Sequence, residues 1–293
     1  MAPRAPRSAN DSSADTNDTP RSLIDLSQDA LGVIMDGLAD PLQPVVAVAL
    51  SSTCLGLRTA LRAALEVLKE QHALAVALCS KVGISCAELP FEKKLLWLGE
   101  DLTTDDIATL AMILQTNGLP NLQVLDLTSN GFGDAGVQAL CEGLGCGAAP
   151  SLLTLSLVNT HSGPAGAEAF AAALRRGAMP KIKLLSFDFN PIGDQGVAAL
   201  APALRKHTAL VTLILGRCGI GDEGVASLVD NLGKDDFNAL QMLDLAFNSQ
   251  ITKVGTGKMV AAIDAGGMPK LTQFPFSILD GSAVQDALRR HSA

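Results

Sequence analysis

The chain has 293 residues, of which 48% are hydrophobic but only 3% aromatic, with no Tyr, one Trp and a net charge of -8. That apolar content excludes general disorder, which needs low hydrophobicity and high charge. The acidic balance excludes a phosphate-binding surface for DNA or RNA, and the scarcity of Tyr and Trp removes the usual base-stacking and anchoring side chains.

Residues 1–21, rich in Arg, Ser, Asn, Asp, Pro and Thr, show no periodicity and read as a disordered tail. No apolar run follows Met1, so no secretory signal is expected, and Asp11, Asp15 and Asp18 disfavour an organelle-targeting peptide. The longest strongly apolar stretch, Val45 to Leu50, is too short to span a bilayer. Cysteines 54, 79, 86, 141, 146 and 218 contain no Cys-x-x-Cys pair and read as buried, reduced thiols. The sequons at Asn10 and Asn17 are then without consequence, and the expected location is cytoplasmic or nuclear.

Residues 22–88 carry helical apolar spacings: Leu31, Ile34 and Leu38, then Val45, Val48 and Leu50, then Leu57, Leu61, Leu65 and Leu68. Pro41 and Pro44 separate the first pattern from the second. From residue 122 a repeat takes over. Leu122-x-x-Leu125-x-Leu127-x-x-Asn130 recurs as Leu152, Leu155, Leu157, Thr160 and as Ile182, Leu185, Phe187, Asn190. It returns as Leu210, Leu213, Leu215, Cys218 and as Leu240, Leu243, Leu245, Asn248, with starts 30, 30, 28 and 30 residues apart. Each copy continues in step: Phe132, Asp134, Gly136, Val137, Leu140 and Leu144 match Ile192, Asp194, Gly196, Val197, Leu200 and Leu204.

Leu-x-Leu is a period-two strand with alternate side chains facing one core, and the Val-x-x-Leu-x-x-x-Leu after it is helical. The Asp is expected to cap the start of its own helix, with the nearby Gly allowing a tight turn. One strand and one helix per copy cannot bury themselves; stacked copies form a solenoid. The Asn/Thr/Cys position is expected to point inward and bond backbone groups that no strand partner reaches, where a lost partner costs roughly 1–3 kcal/mol.

These residues resemble the leucine-rich repeat family, in its long, ribonuclease-inhibitor-like type. The resemblance implies an α/β horseshoe over about residues 89–279, with parallel strands on the concave face and helices on the convex one. Leu95, Trp97, Leu102, Ile107, Leu110 and Leu114 read as a degenerate first coil with Glu100 in the Asn position. Leu271, Phe274 and Phe276 read as a closing strand, and residues 280–293 as a capping helix centred on 282–290. Gly255-Thr-Gly257-Lys258 imitates the end of a phosphate-binding loop, but Thr252 and Met259 break that motif, and Gly255 falls where the repeat places its glycine.

Two readings of residues 22–88 remain: a structural helical cap over the first core layer, or an F-box-like module. The run Leu26-Ser-Gln-Asp-Ala-Leu31-Gly-Val-Ile34-Met-Asp-Gly-Leu38, continued by Val45 and Val48, resembles an F-box. That resemblance implies that Leu26, Leu31, Ile34, Leu38, Val45 and Val48 dock on the adaptor of a cullin-type ubiquitin ligase. Ser27 stands where the family has Pro, and Leu57 or a neighbour where it has Trp.

The repeat register places Val124, Asp126, Thr128, Thr154, Ser156, Val158, Leu184, Ser186, Asp188, Thr212, Ile214, Gly216, Met242, Asp244 and Ala246 on the concave face. Within it, Val124, Asp126, Thr128, Leu184, Asp188, Ile214, Met242 and Asp244 are the candidate partner-binding residues, with Arg217 and Phe247 at the rim. Such an acidic, small-residue surface suits a basic or Ser/Thr-rich protein segment; the alternative is a row of ordinary solvated strand positions. His72, His161, His207 and His291 have no carboxylate or Cys partners at metal spacing, and no Gly-x-Ser-x-Gly elbow occurs. The expected protein is therefore non-catalytic and cofactor-free, binding a protein on the concave face and an adaptor at the helical module. A scaffold subunit of a larger assembly is one alternative. Another is a Ran-type GTPase activator, although the acidic tail of that family has no counterpart in Ala287-Leu-Arg-Arg-His-Ser-Ala293.

Overall fold

A computed structural model describes residues 28–52, 59, 61–145, 147–233, 235–275 and 282–291. The expected disordered tail, Asn10, Asn17, Leu26, Cys54, Leu57, Cys146 and Phe276 lie outside the described residues. Contacts divide the chain into two compact units, Met1–Ala39 with Val45–Val67 and Asp40–Pro44 with Leu68–Ala293.

The first unit contains α1 (Gln28–Leu38), α2 (Val45–Ser52) and the start of α3 (Arg62–Lys81). Leu31, Met35, Ala47, Leu61 and Leu65 are its buried apolar residues. From the spacings read in the sequence, Leu31, Leu61 and Leu65 are buried, whereas Val45 and Val48 are exposed and Leu50 is half-buried, because α2 turns Ala47 inward instead. Of the six residues expected to meet an adaptor, Leu31 is buried, Ile34 and Leu38 are half-buried, and Val45 and Val48 are exposed.

The second unit is the solenoid. Its six strands are β1 (Lys94–Leu96), β2 (Val124–Asp126), β3 (Thr154–Ser156), β4 (Leu184–Ser186), β5 (Thr212–Ile214) and β6 (Met242–Asp244). They form one parallel sheet in sequence order, with Leu95, Leu125, Leu155, Leu185, Leu213 and Leu243 in register. The helices between and after them are α4 (Thr104–Thr116), α5 (Gly133–Gly143), α6 (Pro164–Arg175), α7 (Gly193–Arg205), α8 (Asp222–Val229) and α9 (Lys253–Asp264). Each packs on its neighbours in the row. The Leu-x-Leu residues and the inner helix faces share one continuous core, in which Phe170 and Phe187 meet edge to face at 5.2 Å.

Both ends of this core are covered. At the front, Ala75, Leu78 and Cys79 of α3 and Leu42 join the cluster of Leu95 and Trp97. Asp40 Oδ1 accepts the Leu42 N–H at 2.7 Å, and the His72 ring nitrogen lies 2.6 Å from the Pro41 carbonyl. At the back, Leu271 and Phe274 are buried, and where a closing strand is expected Gln273 makes an isolated parallel bridge to Met242. Helix α10 (Ser282–His291) packs on α9, buries Val284, Ala287 and Leu288, and pairs Arg290 with Asp264 at 3.0 Å.

The inward-facing Asn position behaves as the sequence suggests. Asn190 Nδ2 donates to the carbonyls of Leu157 and Phe187 at 2.6 and 2.9 Å, while its Oδ1 accepts the N–H groups of Thr160 and Ser162 at 3.0 and 2.9 Å. Asn130 and Asn248 repeat the arrangement, and the Thr160 hydroxyl and Cys218 thiol fill the alternate copies by bonding carbonyls.

One expectation is corrected. Asp134, Asp194 and Asp222 do not cap their own helices; each reaches the start of the next one. Asp134 Oδ1 accepts the N–H groups of Gly163 and Gly166, and Asp194 Oδ1 those of Gly221 and Gly224. Asp222 Oδ1 accepts those of Thr252 and Gly255. The stacking offset places each carboxylate beneath the neighbouring helix, whose first N–H groups lack intrahelical partners. This explains Gly255: a Cβ there would lie 2.5 Å from Asp222 Oδ1, so the residue serves the cap.

Candidate interaction surface

The sheet face turned away from the helices carries three side-chain columns. The first runs Lys94, Val124, Thr154, Leu184, Thr212, Met242 and the second Leu96, Asp126, Ser156, Ser186, Ile214, Asp244. The third, just past the strands, includes Thr128, Val158, Asp188, Gly216 and Ala246; it is ordered by bonds such as Ser129 N–H to Val158 O and Phe189 N–H to Gly216 O.

All three acids on this face accept a backbone N–H beside them. Asp126 Oδ1 accepts the Thr128 N–H at 3.0 Å and its hydroxyl at 2.5 Å, and Asp244 Oδ1 accepts the Ala246 N–H at 2.8 Å. Asp188 accepts the Phe189 N–H at 3.1 Å. Burial pushes the Asp188 carboxyl up, the Phe189 N–H and the Arg217 charge pull against this, and the Asp244 charge raises it further. A Cβ on Gly216 would lie 2.7 Å from Asp188 Oδ1, so glycine there leaves room for this carboxylate. Behind them the Cys218 thiol is pushed up to about 12 by burial, with the Asp188 and Asp244 charges adding to the rise.

The rim supplies what the columns lack. The residue before each Asn position has a positive φ throughout the array: Gly99 (65°), Ser129 (59°), Asn159 (52°), Phe189 (59°), Arg217 (51°) and Phe247 (60°). Glycine adopts this conformation freely and Asn tolerates it, whereas a bulky side chain is strained by roughly 1–3 kcal/mol. Two phenylalanines occupy it nevertheless, each 46% exposed. Between them the Arg217 guanidinium lies 4.3 Å from the Phe189 ring centre and 3.8 Å from that of Phe247, a cation–π stack spanning three repeats.

The structure therefore brings Leu184, Asp188, Ile214, Met242 and Asp244 together on β4–β6 beside the stack, while Val124, Asp126 and Thr128 stand apart on β2. Phe189 was not among the sequence candidates. Its signal lay in reading down the column Ser129, Asn159, Phe189, Arg217, Phe247, outside the leucine template.

Among the described residues, no three His, Cys, Asp or Glu side chains are grouped to hold a metal, and no helix is long and apolar enough to cross a membrane. His207 lies apart from His72 and His161, with one ring nitrogen 3.2 Å from the Met179 carbonyl. Clefts of about 410 and 610 Å³ open at the C-terminal ends of α4 and α5 and of α8 and α9, away from the sheet face.

A family model described as Leucine Rich repeat matches residues 118–141, 178–201 and 206–229, so the repeating unit is a leucine-rich repeat. No curated protein matches the chain. Among solved structures, leiomodin-1 actin-binding site 2 is similar at 14% identity, covering 75% of this chain and 88% of that one, with a TM-score of 0.34. A likeness that low carries no functional argument.

Proposed function

We propose that this chain is a non-catalytic interaction protein of the ribonuclease-inhibitor-like type, binding a protein partner on the open face of β4–β6. The observation that carries the reading is the Phe189–Arg217–Phe247 stack. Exposed aromatic and arginine side chains are the residue types that dominate interface energetics, and here they stand beside half-buried apolar and acidic positions. Placing phenylalanine where glycine or asparagine is less strained favours a surface role over a packing role.

The test is hydrogen exchange of the full chain with and without peptides selected against it from a random library. Protection is expected at 184–189, 212–217 and 242–247. Protection confined to the helices removes the reading.

A second partner is suggested at the helical unit. Val45, Val46 and Val48 of α2 are 73, 58 and 42% exposed, an apolar surface of the kind an F-box offers to a ubiquitin-ligase adaptor. On this reading the chain is a substrate-recognition subunit acting in the cytoplasm or nucleus. Co-elution of the full chain with purified adaptor, lost in Val45→Asp, is expected. Without co-elution, the unit is a cap and the chain a scaffold.

A further inference from the structure

We infer that the segment recognised on this face is basic: an extended stretch of a protein partner that lays an Arg or Lys side chain on Phe189 and directs its charge to Asp188 and Asp244. The inference rests on the reading of the sheet face as an interaction surface and adds the chemistry of the partner.

Three observations point the same way. First, Arg217 shows that the rim spacing accepts a guanidinium against a ring, at 3.8 and 4.3 Å from the two ring centres. The preceding rim residue, Asn159, is short and exposed, and Phe189 is itself 46% exposed, so a partner cation arriving from the β3 side extends the stack by one layer. Second, the carboxylate of Asp188 adjoins that ring in sequence and feels both Arg217 and Asp244. Counted by residue type, Asp126, Asp188 and Asp244 stand on the face against Lys94 and Arg217, so acids outnumber bases there. Third, the chain as a whole carries -8, so a basic segment is attracted from a distance and an acidic one repelled. Leu184 and Met242, on either side of Thr212, provide apolar contacts alongside, against which the rest of the segment lies.

The test is selection of random twelve-residue peptides displayed on phage against the immobilised full chain, followed by affinity measurement on synthetic copies. The expected winners carry at least one Arg or Lys. Their affinity falls at least tenfold in Phe189→Gly and in the double variant Asp188→Asn with Asp244→Asn, and the carboxamide pair also flattens the loss of binding with added salt. Phe189→Gly suits the left-handed backbone, and an unchanged melting temperature separates lost binding from lost folding. Acidic or purely apolar winners that still protect 184–189 and 242–247 from exchange overturn the inference and leave the interaction surface standing. Winners that protect neither segment, or no winners at all, overturn both.

Discussion

At the scale of single residues, core and rim respond differently to substitution. Leu155 is fully buried among the Leu-x-Leu layers, so Leu155→Ala is expected to cost about 2–5 kcal/mol in denaturant unfolding. Phe247→Gly relieves left-handed strain but loses a cation–π contact of about 0.5–1 kcal/mol. Its stability is therefore expected to stay within about 1 kcal/mol of the parent. A loss as large as that of Leu155→Ala would mean the ring belongs to the core. Asp126, by sequence a candidate partner-binding residue of the exposed face, also closes a turn through Thr128, so Asp126→Ala is expected to cost about 0.5–1.5 kcal/mol rather than nothing.

A pH dependence belongs to the same scale. Burial lowers the His207 pKa from its ordinary value near 6.5, against the raising influence of the Met179 carbonyl. The unfolded state then binds the proton more readily, so stability is full above pH 6.5 and declines as pH falls through that value. His207→Gln is expected to flatten this slope in melting curves between pH 7.5 and 5; an unchanged slope assigns it to other groups.

At the scale of elements, capping couples each repeat to the next. Asp194 lies in α7 but bonds the first N–H groups of α8. Asp194→Ala is expected to cost about 0.5–2 kcal/mol, with faster amide exchange at 221–226 and little change at the start of α7. Faster exchange at α7 instead would restore the intrahelical cap that the sequence suggested. Burial raises the Asp222 carboxyl, but the Thr252 hydroxyl, the Thr252 and Gly255 N–H groups and Lys258 outweigh this and hold it below the usual carboxylate range. Its contribution is present above the unfolded pKa and lost as pH falls through the folded one.

These elements also show what a sequence exposes. Strand register and the Asn position follow from residue type at fixed spacing, because each depends on side chains one turn apart. The destination of the Asp caps does not, since it is set by the lateral offset between stacked coils. Phe189 escaped for another reason. Its importance comes from a backbone dihedral and from Arg217, twenty-eight residues later, neither of which a leucine spacing encodes.

At the scale of the molecule, the solenoid explains the composition. Thin, stacked layers are filled by Leu, Val, Ala and Gly, and Phe170 and Phe187 are rings admitted to the interior. The shortage of aromatics suggested a binding face without anchors. Instead, two of the nine phenylalanines stand at the rim, on either side of one arginine.

Two charge reversals of equal size, on opposite sides of one repeat array, test the central claim most directly. Asp244→Arg alters the sheet face, and Glu168→Arg alters the exposed side of α6. With peptides selected on the parent chain, the affinity of Asp244→Arg is expected to fall at least tenfold while Glu168→Arg stays within about twofold, since exposed charges more than a Debye length from a ligand are largely screened. Equal losses in both, or a loss only in Glu168→Arg, would contradict the assignment of the sheet face as the interaction surface.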